Sequence, residues 1–210
     1  MRRRLIENAM VVFAEKGVNA SVIEDVIATA GVSRGTFYYY FRTNLELQQA
    51  VSEELINELL TLIEDVVGKY EDPARRIACG LRLYFHTAMR YPLFANFVSK
   101  NGFEVDSPSS RFYEFLPPHL QAAISAGRLA ATPLEPALDM MSGTALIAMH
   151  RMSIRHARPD YPEQVVSVIM RGLGMDDTET AKLMAQPIPS LRPPQDSLLE
   201  RSKARLKEMS

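Results

Sequence analysis

Apolar residues in this chain recur three and four positions apart and almost never at every second position. Glycine and proline cut the pattern into pieces. Leu5, Ile6, Ala9, Met10 and Phe13 form the first apolar stripe, which Gly17 can end as a left-handed cap. Ser21 and Glu24 then make an S-x-x-E capping box, followed by Ile23, Val26, Ile27 and Ala30 on one face, with Gly31 as the stop. Ser33 caps a short third helix reaching about Phe41. A long fourth helix runs from about Asn44 to Lys69, with Leu45, Val51, Leu55, Leu59, Leu62, Ile63 and Val66 on its inner face.

Proline-opened helices follow, from Asp72-Pro73 to about Arg90 and from Tyr91-Pro92 to near Gly102. Residues 104–110 read as a loop. Pro117-Pro118 break or kink the next helix, which ends at Gly127. Two long helices, over 133–157 and 162–174, and a short one near 176–186 complete the series. The fold class is therefore all-α: a three-helix helix-turn-helix domain over 1–45, a larger helical domain over 46–186, and a proline-rich linker and C-terminal tail over 187–210. The tail ends in a marginal amphipathic segment.

Two helices joined by "AGVS" form a helix-turn-helix, whose second helix enters the DNA major groove. This explains three consecutive tyrosines. Phe37 and Phe41 face inward with Val32, while Tyr38 and Tyr39 point toward the groove and its walls, where a phenol packs on sugar and donates to phosphate. Arg34 and Thr36, in the first turn, can reach base edges, arginine most readily those of guanine. Gly35 keeps the helix start thin. Net charge is −1, but residues 1–45 hold six basic groups against four acidic ones.

At these residues the chain resembles the TetR family of bacterial transcriptional regulators. The matching run is Phe13-Ala14-Glu15-Lys16-Gly17, then Ser21, Ile27-Ala28 and the unbroken stretch from Ala30 to Phe41. The resemblance implies phosphate or base contacts from Ser21, Ser33, Arg34, Gly35, Thr36, Tyr38, Tyr39 and Tyr40, and a basic arm to which Arg3 and Arg4 correspond. Ser21 stands where the family usually has threonine. Asn44 stands where it usually has a lysine on the DNA backbone, a role that Arg42 or the helix N-terminus can take over.

The resemblance also implies an effector pocket among the middle helices and a homodimer formed by the helices near 133–157 and 162–174, whose apolar stripes are Leu138, Met141, Ala145, Ala148 and Met152, and Val165, Val168 and Ile169. Nine of the seventeen aromatic residues fall between Tyr84 and Phe115. Phe85, Met89, Phe94, Phe97, Phe112, Phe115 and Met141 are the candidates for an apolar pocket, with His86 and His119 as its polar contacts and Ala88 as a small residue facing the space. Expected partners are a palindromic operator and a hydrophobic or aromatic small molecule that releases it. A constitutive DNA-binding dimer and a helical enzyme or carrier are the alternatives. Catalytic motifs, metal-ligand spacing and cofactor fingerprints do not occur in the sequence. Cys79, the single cysteine, reads as buried filler in a reducing compartment. No apolar run is long enough to span a bilayer, and the expected location is cytoplasmic.

Overall fold

Turn chemistry decides where the first helices start and stop. α1 (Arg2–Lys16) closes at Gly17, whose φ of 84° favours glycine. α2 (Ile23–Ala30) closes at Gly31, left-handed with φ 60° and ψ 43°. α3 (Arg34–Tyr40) begins at Ser33, whose hydroxyl accepts from the Thr36 amide at 3.0 Å. The structure is a computed structural model that describes residues 1–101, 111–155 and 157–204; the expected loop over 104–110, Phe103 and His156 lie outside them.

The Ser21–Glu24 capping box does not form. Val22 occupies the cap position of α2 without a side-chain cap, its N–H donates to Asn44 Oδ1 at 3.2 Å, and Glu24 reaches Arg34 instead. A different box caps α4 (Asn44–Val67): Thr43 accepts from the Glu46 amide at 3.1 Å, and Glu46 accepts from the Arg42 amide at 2.7 Å. Leu45, expected on the inner face, is 53% exposed. Leu47, in the same first turn but on the other side of the helix, is the residue that enters the core.

The body consists of α5 (Pro73–Arg90), α6 (Pro92–Asn101), α7 (Arg111–Ser125), α8 (Leu134–Ile154), α9 (Tyr161–Gly172) and α10 (Asp177–Ala185). α7 runs unbroken through Pro117 and Pro118, where a break or kink was expected. α4 packs on α1 of the N-terminal unit and on α5, α6 and α7 of the body, so it belongs to both halves of the molecule. Phe13 of α1 meets Phe97 of α6 edge-on at 5.4 Å, and the Gln48 side-chain amide donates to the Val18 carbonyl at 2.7 Å. Such an aromatic pair contributes about 0.5–1.5 kcal/mol beyond its area. These contacts clamp the N-terminal unit onto the body.

The C-terminal segment is more than a linker. α11 (Leu198–Ala204) packs against α1, α4 and α6 and buries Leu198 and Leu199. The two carboxylate oxygens of Glu58 accept from the Leu198 and Leu199 amides at 2.9 and 3.2 Å, and the Tyr91 hydroxyl donates to Glu200. Burial pushes the Glu58 carboxyl above its ordinary range, against the pull of those two amides. On the other side of the body, buried Arg82 donates to the Gln186 carbonyl at 2.8 Å and pairs with Glu163. Burial alone would raise Glu163, but His86 and Arg82 hold it below the usual carboxylate range.

The late helices divide their apolar residues between two faces. Met141 and Ala148 of α8 and Val165 and Ile169 of α9, expected at a subunit interface, are buried in the chain's own core. Ile147, Ile154 and Val168 are the large apolar residues of these helices that stand more than half exposed. Of the expected stripe, Val168 is exposed and Leu138, Ala145 and Met152 are half-buried.

Candidate functional site

α2, the turn at Gly31 and α3 place the predicted recognition residues on one outward face. Phe37 is fully buried and Phe41 nearly so, their rings 6.0 Å apart. That anchoring turns the other side of a short helix to solvent, so Tyr39 is 82% and Tyr38 46% exposed. Tyr40 is half-buried with its ring edge-on to Tyr39 at 5.0 Å. Ser33, Arg34, Gly35 and Arg42 are exposed; so are Ser21, Arg3 and Arg4. Thr36 is half-buried, and its hydroxyl lies 2.9 Å from that of Ser33.

Several of the expected DNA contacts are engaged within the chain, Arg3 with Glu7 at 3.0 Å among them. Asn44 gives its amide to the Ala20 carbonyl at 3.0 Å and its carbonyl to the Val22 N–H, so it braces the start of α2 against α4. Its side chain is spent on that brace, which is why an amide rather than a lysine stands there. Arg34 donates to Glu24 at 2.9 Å, with both side chains well exposed. An exposed pair of this kind contributes about 0.2–1 kcal/mol, so a base edge or a phosphate can displace it. Glu24→Gln is therefore expected to tighten DNA binding several-fold, measured by fluorescence anisotropy on one duplex. A weaker complex would show that Glu24 holds Arg34 in its reading position rather than competing for it.

A second site lies in the body. A cavity of ≈ 390 Å³ opens between α4, α5, α7 and α8, with Val98 of α6 in its wall. That volume falls in the range of small-molecule pockets. Phe112, Phe115, His119 and Met141 line it as expected. Phe85, His86, Met89, Phe94 and Phe97 do not. Phe85, Phe94 and Phe97 are fully buried and serve as packing, Phe97 at the clamp on α1, while His86 pairs with Glu163 at 2.9 Å. Ala88 is buried away from the cavity, and Ala145 is a small residue that does line it. The walls missed by the sequence reading are the aliphatic face of α4 (Ile56, Leu60, Ile63) and Tyr84, whose ring packs edge-on against Phe85 and Phe94 at 5.6 Å.

Cys79 is buried, and that burial pushes its thiol up, unlike a nucleophile's. Among the described residues no acidic, histidine or cysteine cluster could hold a metal ion, and no helix is long and apolar enough to cross a membrane.

The described elements are all helices, and an exposed, tyrosine-faced α3 behind a tight glycine turn is the arrangement of a helix-turn-helix. Residues 5–51 match the model of bacterial regulatory proteins, tetR family. That match spans α1 to α3 and the start of α4. It is 28% identical over 162 residues to the regulator EthR of Mycolicibacterium smegmatis, covering 70% of this chain and 72% of that one. It is 33% identical over 69 residues to the regulator YvdT of Bacillus subtilis, a match covering 33% of this chain and 36% of YvdT, about a third of that relative's length. In fold it is similar to RolR solved with resorcinol, with a TM-score of 0.78 at 24% identity, covering 91% of this chain and 96% of RolR.

Proposed function

We propose that the chain is a repressor that binds a palindromic operator as a homodimer and releases it when an apolar or aromatic small molecule fills the body cavity. One observation carries this reading. α4 is a single 24-residue helix that starts three residues after α3 ends, and its far half, from Ile56 to Val67, forms a wall of the cavity. A molecule seated in the cavity therefore pushes on the element that carries the recognition helix. Arg34 and Thr36 address base edges; Tyr38 and Tyr39 meet the groove walls; Arg3, Arg4, Ser21, Ser33, Tyr40 and Arg42 take phosphates. A two-fold dimer has to hold its recognition helices about 34–36 Å apart to use both half-sites. The resorcinol found in RolR supports a ligand of modest size.

The ligand must favour the spacing that does not fit DNA, or it shifts no equilibrium. The test fills the cavity from within. Ala145→Trp is expected to leave operator binding intact and to abolish release by any small molecule that displaces the unmodified protein from DNA. If such a molecule releases both proteins equally, its site is elsewhere. If no small molecule alters DNA binding, the chain is a constitutive DNA-binding dimer.

A further inference from the structure

Polar groups in the cavity gather at one end. α4 and α5 form an antiparallel hairpin turned at Gly68–Asp72, so Glu64 and Arg76 lie at the turn and Ile56 and Tyr84 lie farther along. α7 and α8 are joined by a second short turn, which brings His119 and Asp139 to similar heights. His119 Nε2 bonds Glu64 Oε2 at 2.8 Å, fixing these two helix pairs at that end. The opposite end, formed by Leu60, Val98, Phe112 and Leu146, is apolar.

Charge at the polar end argues against an acidic ligand. Glu64 and Asp139 set two carboxylates against one guanidinium, and Arg76 already gives its Nε to the Tyr70 carbonyl at 2.6 Å. An organic acid meets two like charges; an amine meets Arg76. Glu64 spends Oε2 on His119, and its Oε1 has no hydrogen-bond partner among the described residues. The hydroxyl of Tyr84, also in the wall, has none either. Glu64 lines the cavity, so a ligand hydroxyl can donate to its free Oε1. We propose that the cavity takes a neutral ring-bearing alcohol or phenol, its hydroxyl donating to Glu64 Oε1 and its apolar body lying toward Phe112 and Val98. This rests on the reading of the cavity as the effector site.

The test uses 2-naphthol, naphthalene, 2-naphthoate and 2-naphthylmethylamine, titrated calorimetrically into the full chain, its Ala145→Trp variant and its Glu64→Gln variant. Naphthol is expected to bind at least about tenfold tighter than the acid, the amine and the hydrocarbon. Glu64→Gln should erase most of that preference while leaving naphthalene binding unchanged. The proposal is overturned if the acid or the amine binds as tightly as naphthol, a comparison that needs only the unmodified chain. It is overturned equally if Glu64→Gln, folded by its circular dichroism, keeps the full preference. Failure of all four probes to bind, or binding indifferent to Ala145→Trp, overturns instead the underlying reading of the cavity.

Discussion

Replacing Ile154 and Val168 together by glutamate is expected to convert the chain from dimer to monomer and to lower operator affinity by about two orders of magnitude or more. Both side chains stand more than half exposed on the outer faces of α8 and α9, as does Ile147 about two turns before Ile154. Large apolar residues clustered on adjoining helices mark a contact surface. A two-fold axis brings the same patch from each subunit together, so each substitution enters the interface twice. Burying a carboxylate without a partner costs several kcal/mol, more than a contact of this kind can absorb. The isolated subunit should keep its helical content, because neither residue packs into its own core. A monomer then presents one recognition helix where the palindrome offers two sites. Sedimentation velocity gives the mass, and anisotropy on the same samples gives the affinity. A dimer that survives both substitutions would place the interface on another face.

How much of this could be read from the residues depended on whether local chemistry or packing decided the outcome. Gly31 and Ser33 were legible because a left-handed turn and a hydroxyl cap are properties of single residues, and α3 follows from them. The anchoring of α3 by Phe37 and Phe41, with Tyr39 outward, follows from spacing alone. Asn44 was not legible: its partners, Ala20 and Val22, lie more than twenty residues away, and no period relates them. The same holds for Glu58, which receives the first amides of α11 across 140 residues of chain. Leu198 and Leu199, an apolar pair in a polar tail, were the available signal that this segment docks.

The cavity shows the same limit. Aromatic density pointed to the right helices and to Phe112, Phe115, His119 and Met141, yet it also gathered Phe85, Phe94 and Phe97. Periodicity says which face of a helix is apolar; it does not say whether the facing side chains meet or leave a gap. Phe97 meets Phe13 and closes the space, whereas Leu60 and Ile63 line the cavity. Leu45 fails because Leu47, on the other side of the same turn, is the residue that enters the core.

The largest single effect should come from α3 itself. Arg34→Ala removes the one charged group in its first turn, and Tyr39→Ala removes the most exposed ring on its outward face. Neither residue packs in the core, so thermal stability should hardly move. Loss of a bidentate arginine–guanine contact costs about 1–3 kcal/mol and falls on one base pair. Loss of a phenol at the groove wall weakens all sequences alike. The two together should reduce binding by about a hundredfold or more. The decisive measurement is selection of bound duplexes from a random DNA pool, repeated with Arg34→Ala and Tyr39→Ala. The unmodified chain is expected to enrich a palindrome whose half-sites are about one helical turn apart, Arg34→Ala to lose the preference at one position of each half-site, and Tyr39→Ala to keep the pattern at lower affinity. Enrichment of the same sequence, with the same strength, by all three proteins would contradict the assignment of α3 to the groove.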